Sequence, residues 1–362
     1  MSLKKTIKRE LKSLYDDRVK KRQSISWREQ ILEAERMSQD EIPALTKSQE
    51  DEIRAYWKRY GIDIPCLEWH RFFYARTGCE RPDFVAKTTF NCDIKPYMSD
   101  LRFAPTWSDK SYLDFFIKGV NTPVNVVRNV NGNLLDADFH YISRQQAETI
   151  MNQYDALVVK PTVFTNTGKG VQLLKPPVHI DDLIAAYKRN FVLQLPLRQH
   201  AEMAKLNESS VNSIRFNSVC LDGVAHVMSC FVKVGQTGEF ADNNGKDRYF
   251  IGIDAASGRL KDYAINHEMV RHETIPSGFA FAGKKIPSFE KACEMVCKAH
   301  QQLAHFGLAF WDVCICEDGE PCIVEVNLTA PDSAIAQAAA GPFFGEYLEQ
   351  ILERVVEKRK IM

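Results

Sequence analysis

The sequence lacks the segments that would place it in or across a membrane. No run of about 18 apolar residues occurs, so we predict no transmembrane helix. The N-terminus carries lysines and arginines where a secretory signal peptide has its apolar core, which predicts a cytoplasmic protein. The 47 Lys and Arg residues balance the 47 Asp and Glu residues, so no excess of positive charge indicates a nucleic-acid partner.

Metal-binding and disulfide patterns are also missing from the cysteines. The ten cysteines include no CxxC pair, which argues against a zinc site. Cys293 and Cys297 have the spacing of one helix face, and Cys314 and Cys316 have the spacing of one strand face. We therefore predict buried free thiols in a reducing compartment.

The sequence contains no GxxxxGK[ST] phosphate loop, internal repeat or low-complexity segment. Its 45% hydrophobic and 26% charged residues are typical of a soluble globular protein. A length of 362 residues predicts two or three domains.

The first 60 residues predict helices. Residues 3–22 have apolar residues at helical spacing, and residues 1–22 carry nine Lys and Arg against three Asp and Glu, a net charge of +6. Such a helix either docks on its own domain or lies on the anionic inner face of the cell membrane. Residues 27–60 continue helical, with a loop near Ile42-Pro43. An aromatic cluster then predicts an N-terminal helical core: Trp57, Tyr60, Trp69, Phe72, Phe73 and Tyr74.

The stretch from Gly307 to Asn327 predicts two apolar strands joined by a turn at Asp318-Gly319. A two-residue turn there places Asp312 opposite Glu325, and Asn327 falls on the same face of the second strand. Two carboxylates and an amide oxygen form a hard oxygen set that suits Mg²⁺. The alternative is a hairpin whose polar residues face water.

Two lysines precede this hairpin at notable positions. Lys110 falls in the first turn of a helix predicted to begin at Ser108 or Asp109, where a cation opposes the helix dipole. Lys160 ends a buried strand, and a loop over residues 165–170 follows, with glycines and threonines that offer donors to phosphate. A surface lysine and a flexible hairpin tip remain the alternatives.

Further polar residues fall within predicted strands. Pro196 interrupts the strand predicted over residues 191–197, which leaves backbone groups free for a ligand. Arg215, His226 and Lys233 lie in later strands, where charged residues usually have partners, although surface positions would explain them equally. Helices are predicted over residues 144–154, 180–190, 288–305 and 334–361.

Together these segments resemble the ATP-grasp superfamily over residues 105–350, through Lys110, Lys160 with its loop, residues 194–197 and the Asp312, Glu325 and Asn327 hairpin. Within it, the chain is similar to the sugar-transfer-associated ATP-grasp group and, in layout, to teichuronopeptide-type ligases. The segments that carry this likeness are Gln199-His200, SVNSIRF at residues 210–216, Asp242-Asn243 and FWDVCICEDGEPCIVEVN at residues 310–327.

The resemblance implies binding of ATP and of two Mg²⁺ ions by Asp312, Glu325 and Asn327. It implies that Arg215 and Lys160 are catalytic, with Arg215 stabilising an acyl phosphate. Many relatives carry Glu at the position of Gln194, whose amide can still hydrogen-bond the adenine amino group. The nucleotide-binding residues implied are Lys110, Lys160, Thr165, Asn166, Thr167, Gly168, Lys169, Gly170, Gln194, Leu195, Leu197, His200 and Glu202. The substrate residues implied are Arg215, Lys233, Asn243 and Asn244.

The expected fold is therefore α+β: an ATP-grasp fold preceded by a mostly helical N-terminal region. The expected domains are residues 1–104, 105–195 for the phosphate-flap subdomain and 196–362 for the metal and substrate subdomain. The implied reaction is ATP-dependent ligation of a carboxylate to an amine, with a uronic acid of a capsule, O-antigen or other cell-surface polysaccharide as the acid. A sugar or small-molecule kinase and a non-catalytic nucleotide-binding scaffold are the alternatives. The acid, the amine and the oligomeric state stay open.

Overall fold

Helices dominate both ends of the chain and strands dominate its middle. The computed structural model describes residues 3–37, 42–64, 66–163, 170–242 and 247–361, with side chains from residue 19 onward. The α-helices are α1 (Leu3–Met37), α2 (Lys47–Lys58), α3 (Glu68–Thr77), α4 (Lys95–Met98), α5 (Ala104–Trp107), α6 (Leu113–Phe116), α7 (Arg144–Met151), α8 (Ile180–Tyr187), α9 (Ala201–Ala204), α10 (Phe289–His300), α11 (Ser333–Ala340) and α12 (Leu348–Ile361).

The strands form two antiparallel sheets. They are β1 (Asn125–Val130), β2 (Asn133–Leu135), β3 (Leu157–Pro161), β4 (Gln172–Leu174), β5 (Phe191–Gln194), β6 (Ile214–Leu221), β7 (Val224–Val234), β8 (Tyr249–Asp254), β9 (Arg259–Asn266), β10 (Arg271–His272), β11 (Leu308–Ile315) and β12 (Pro321–Asn327).

The chain divides into two units. One comprises residues 1–99, 268–270 and 332–362, and the other residues 100–267 and 271–331. In the first unit, the Gln337 amide of α11 is buried and bonds to Val85, which fixes the C-terminal helices against the segment after α3. The predicted boundaries at residues 104 and 195 stay predictions.

The smaller sheet of the second unit has the order β2-β1-β5-β3-β4. One face packs on α7 and α8 through a buried apolar cluster that includes Leu157, Val159 and Leu193. Alternation along the strands then turns Val158, Lys160 and Gln194 to the opposite face. The predicted strand through residues 157–161 and the Ser143 helix cap are both confirmed.

The larger sheet has the order β10-β9-β8-β7-β6-β11-β12. Trp311, Val313 and Ile315 belong to a core shared with α10, whose apolar side covers this face. The residues between them in sequence, Asp312 and Cys314, therefore lie on the other face. That face carries the polar side chains of the candidate site.

Several predicted elements end earlier than expected. The helix predicted over 288–305 ends at His300, and the strand predicted over 191–197 ends at Gln194, so Pro196 lies beyond the strand rather than within it. The tail predicted as helical over 334–361 is two helices, because Gly341-Pro342 interrupts it.

The predicted basic helix begins at Leu3 and is part of α1, which continues to Met37. The side chains of residues 3–18, which carry most of its charge, lie outside the described part. None of the helices described is long and apolar enough to cross a bilayer.

Candidate active site

The hairpin of β11 and β12 places two carboxylates directly opposite each other. Asp312 is the partner of Glu325, as predicted, and Phe310 is the partner of Asn327. The predicted two-residue turn is wrong, however, because the hairpin closes with the Cys316 N–H donating to the Glu320 carbonyl at 2.9 Å. A β-bulge between Asp312 and Val313 then shifts the register and restores the Asp312 to Glu325 pairing.

Asp312 is held by two buried cations. Arg215, its cross-strand partner on β6, donates Nε to Oδ1 at 2.7 Å and Nη2 to Oδ2 at 3.1 Å. The Nζ of Lys233 on β7 lies 2.7 Å from Oδ2. This fork of charge-assisted hydrogen bonds fixes the orientation of the carboxylate.

Glu325 has its own cation. The Lys110 Nζ lies 3.0 Å from Oε2, and the Asn327 amide donates to Oε1 at 3.1 Å. Burial raises the pKa of the Glu325 carboxyl, but the Lys110 ammonium, a hydrogen bond with Asp312 and the charge of Lys233 together outweigh burial, and the pKa lies well below its usual range. Lys110 stands in a short 3₁₀ helix capped by Asp109, so the predicted cap is confirmed.

A cavity with about 910 Å³ of empty space, counting its open mouth, lies beside these carboxylates. Lys160 reaches it from β3, and within the described part of the chain no carboxylate lies at ion-pair distance from its ammonium. Burial lowers the pKa of Lys160, and the charge of Glu325 partly counters this. The lining residues are Lys110, Val158, Lys160, Pro161, Val171, Leu195, Leu197, Val211, Ser213, Phe240, Ala241, Asp242, Asp312, Val324 and Glu325.

The segment after β5 presents one buried acceptor without a donor. The Gln194 Nε2 donates to Asn125 Oδ1 at 2.8 Å, while the Gln194 Oε1 is buried and has no hydrogen-bond partner among the described residues. The Leu195 N–H already donates to the Val124 carbonyl at 3.0 Å. Leu195 and Leu197 line the cavity and Gln194 does not, so an adenine edge there would meet Leu195 and Leu197 but would find the Leu195 N–H already bonded.

The structure gathers only part of the implied site. Arg215, Lys233, Gln194 and Asn327 are not among the residues that line the cavity. Arg215 and Lys233 are buried and contact Asp312. His200 and Glu202 do not line the cavity either. Glu202 pairs with Lys205 at 2.7 Å, and the His200 Nδ1 accepts a hydrogen bond from the Glu202 N–H. Gly170 is exposed and its carbonyl accepts from Tyr187. Thr165, Asn166, Thr167, Gly168, Lys169, Asn243 and Asn244 lie outside the described residues.

A carboxylate that the implied roles left out also lines the cavity. Asp242 accepts a hydrogen bond from the Ser213 hydroxyl, and burial raises the pKa of its carboxyl. The only sequence signal for it was its place in the Asp242-Asn243 dipeptide. The apolar lining, such as Val158 and Val324, gave no signal because apolar strand residues are expected in any core.

The residues fit a polyphosphate with a hard divalent cation. Asp312, Glu325 and Asn327 supply carboxylate and amide oxygens. The Asn327 side chain bonds to Glu325 through its Nδ2, so this bond does not use the Asn327 Oδ1. Among the described residues, no group of three or more His, Cys, Asp or Glu side chains is arranged to hold a metal by itself. Phosphate oxygens or water would therefore complete the ligand set.

Comparison with known protein families gives a match over most of the chain. A family described as sugar-transfer associated ATP-grasp matches residues 89–353. No curated protein matches the chain.

Three solved structures are similar in part. They are VanG D-Ala:D-Ser ligase from Enterococcus faecalis (12% identity over 69% of this chain, TM-score 0.42), an L-amino acid ligase from Bacillus licheniformis (17% over 85%, TM-score 0.38) and the D-alanine-D-alanine ligase from Coxiella burnetii (8% over 73%, TM-score 0.43). The match spans 61% of the length of each of these proteins.

Proposed function

Because this chain belongs to the sugar-transfer associated ATP-grasp family, we propose that it is an ATP-dependent ligase that joins a carboxylate to an amine. In this proposal ATP phosphorylates the carboxylate, the amine attacks the acyl phosphate, and ADP and phosphate are released. Such a reaction depends mainly on positioning the reactants and on neutralising charge.

The observation that carries the proposal is the arrangement of charge at one cavity. Two carboxyl groups, Asp312 and Glu325, face each other across β11 and β12, and Lys110 and Lys160 line the same cavity. Lysines suit phosphate oxygens and oxygen ligands suit Mg²⁺, so the same wall accommodates the polyphosphate and its cation.

The nucleotide base would occupy the apolar end of the cavity. Val158, Leu195 and Leu197 offer apolar surface there. The Gln194 Oε1, which is buried beside the lining residue Leu195, would be the acceptor for the adenine amino group. Binding that donor would satisfy an oxygen that is otherwise buried without a partner, which favours adenine over a base lacking the amino group.

Lys110 and Lys160 would bind the phosphates. Lys160 has no ion-pair partner to give up among the described residues, whereas Lys110 would exchange Glu325 for phosphate oxygens and so release Glu325 for the cation. Asp312, Glu325 and Asn327 would hold Mg²⁺. When bound, the metal neutralises the charge that develops on the transferring phosphoryl group.

Arg215 and Lys233 take a different part from the one the family likeness implies. Both contact Asp312 and neither lines the cavity, so we assign them to orienting this carboxylate. The contact of Arg215 with an acyl phosphate stays a prediction, as do the roles of His200 and Glu202 at the ribose.

The substrates proposed are a uronic acid and an amino acid or other amine, within the synthesis of a cell-surface polysaccharide. The support is the family's association with sugar transfer. Asp242, a carboxylate on the cavity wall, is a suitable neighbour for a cationic amine.

The test incubates the protein with ATP, Mg²⁺ and pairs drawn from uronic acids, their nucleotide-linked forms and amino acids. ADP and phosphate should appear only when a correct pair is present, and the product should weigh the sum of acid and amine less one water. Release of AMP and pyrophosphate would rule out the acyl phosphate, and a product heavier by a phosphate group would indicate a kinase. Glu325→Gln is the matched inactive control.

A further inference from the structure

A buried arginine shares one face of the smaller sheet with Lys160. Arg128 of β1 and Lys160 of β3 are both cross-strand partners of Val192 on β5, so the three side chains form one row on the face opposite the apolar cluster of α7 and α8. Neighbouring strands lie about 4.8 Å apart, which places the backbones of the two charged residues about 10 Å apart. The Arg128 side chain is 0% exposed, so its charge and its N–H donors need partners within the protein.

Two of these partners lie in the segment that carries Lys110. The Arg128 Nε donates to the Ser111 carbonyl at 2.9 Å, and its Nη2 donates to the carboxylate of Asp114. The Lys110 N–H donates to the carbonyl of Thr162, just beyond β3, at 3.3 Å. The backbone of Lys110 is therefore tied to the smaller sheet on both sides, through its own N–H and through the carbonyl of the next residue.

The rest of the guanidinium holds the loop that follows β2. The Arg128 Nη1 donates to the carbonyls of Asp136 and Ala137 at 2.8 and 2.7 Å. The ring of Phe139 covers the guanidinium, with the Arg128 Cζ 3.9 Å from the ring centroid. Phe139 has a φ of 66°, a left-handed conformation that is costly for a bulky residue and persists only where its surroundings hold it. The guanidinium is therefore committed to the backbone around it and is not available to bind a ligand itself.

We propose that Arg128 is a positioning residue that holds the backbone of Lys110 at the distance from Lys160 that a bound triphosphate requires. Since Lys110 and Lys160 bind phosphate only under the proposed function, this role rests on that function. Arg128 does not line the cavity, so it acts through Lys110. The Lys110 Nζ lies 3.0 Å from Glu325 and would exchange it for phosphate oxygens, and a backbone held in place limits that exchange to a movement of the side chain.

An arginine fits this position and a lysine does not. The planar guanidinium directs donors to the Ser111 carbonyl on one side and to the Asp136 carbonyl on another. A lysine keeps the positive charge, but its donors converge on a single nitrogen that cannot reach both segments. Arg128→Lys should therefore preserve the charge while it releases the segment that carries Lys110. The affinity that falls should be the affinity for phosphate groups and not the affinity for the nucleoside.

The experiment measures by calorimetry how the full-length protein binds inorganic triphosphate with Mg²⁺ and, separately, adenosine. We expect Arg128→Lys to bind triphosphate about tenfold more weakly, which is the contribution of one charge-assisted hydrogen bond, and to bind adenosine as the wild type does. Lys110→Met should lose a similar amount. Adding Arg128→Lys to Lys110→Met should change the triphosphate affinity by less than about twofold, because the arginine acts through this lysine.

Two further variants complete the design. Arg76→Lys is the matched control, because Arg76 is also a buried arginine whose Nε donates to a backbone carbonyl, that of Met269 at 2.8 Å, but it belongs to the other unit. It should leave the triphosphate affinity unchanged. Asp114→Asn removes only the carboxylate that accepts from Arg128, and it serves if Arg128→Lys does not fold. It should lower the triphosphate affinity by about threefold, and only where Lys110 is present.

The outcomes separate this role of Arg128 from the proposed function. Wild-type triphosphate affinity in Arg128→Lys or Asp114→Asn, with Lys110→Met impaired, would overturn the positioning role alone. So would an equal loss of adenosine affinity, or a loss that persists in full without Lys110. A wild-type protein that binds no triphosphate with Mg²⁺ would overturn the proposed phosphate site together with the positioning role. The expected binding losses without a ligation product from any acid and amine would support the positioning role and contradict the proposed reaction.

Discussion

The two carboxylates of the candidate site should differ sharply in what they do for folding. Asp312→Asn and Glu325→Gln make the same chemical change, a carboxylate to an amide of nearly the same shape. Both remove a predicted Mg²⁺ ligand, so both should abolish metal-dependent nucleotide binding. Their effects on the free energy of unfolding should nevertheless separate, because their surroundings differ.

The magnitudes follow from burial. The side chains of Asp312, Arg215 and Lys233 are only 4%, 5% and 4% exposed. Removing the carboxylate takes away the acceptor that two buried cations share, which costs about 3–5 kcal/mol. Glu325 and Lys110 are 23% and 16% exposed, so water reaches both groups. Breaking this partly buried pair should cost about 1–1.5 kcal/mol, between the ranges of solvated and buried ion pairs.

Urea unfolding of each variant, followed by circular dichroism without nucleotide, measures the difference. We expect Asp312→Asn to be less stable than Glu325→Gln by about 2–4 kcal/mol. Adding Lys233→Met to Asp312→Asn should recover part of the lost stability, because one of the two cations that faced the removed carboxylate is then gone. Equal stability of Asp312→Asn and Glu325→Gln would contradict this expectation. So would a double variant whose loss of stability equals the sum of the losses of Asp312→Asn and Lys233→Met measured alone.

Three further outcomes are expected. Gln194→Leu should weaken ATP binding by about fivefold and leave inorganic triphosphate binding unchanged, since a neutral hydrogen bond contributes about 1 kcal/mol. Equal losses for both ligands in calorimetry would contradict the adenine assignment. Burial lowers the pKa of His300 to about 4, so the unfolded chain binds its proton first as the pH falls below 6.5. The stability of the wild type relative to His300→Gln should therefore fall by about 1.4 kcal/mol per pH unit between pH 6.5 and 4 in urea titrations, and a pH-independent difference would count against a neutral His300. If the segment at residues 3–22 binds membranes, the protein should sediment with anionic vesicles at low salt and detach at high salt; no sedimentation at low salt would favour the docked helix.

Local sequence signals predicted local structure well. The Ser143 cap, the strand ending at Lys160-Pro161 and the Asp109 cap before Lys110 each depend on a few neighbouring residues. The opposition of Asp312 and Glu325 was also predicted, but from a turn that does not form. The observed turn shifts the register of the paired strands by one residue relative to the predicted turn, and a bulge beside Val313 shifts it back. No sequence pattern predicted either feature.

Non-local pairing could not be predicted from the sequence. Arg215 meets Asp312 because β6 lies beside β11, although 97 residues separate them along the chain. Apolar patterns identify strands but not their order in a sheet. Arg215 and Lys233 were therefore expected to contact the substrate, and their contact with Asp312 was not predicted. Asp242 was missed for the same reason, since its role follows from the Ser213 contact and not from its neighbours.

Calorimetric titration of the wild-type protein with ATP, with and without Mg²⁺, shows whether this cavity binds a metal–nucleotide complex. We expect that ATP binds with Mg²⁺, that affinity falls by at least about tenfold without the metal, and that Glu325→Gln shows the same weak binding in either condition. ATP binding that is unaffected by Mg²⁺, or unchanged in Glu325→Gln, would contradict the assignment of this cavity as a metal–nucleotide site.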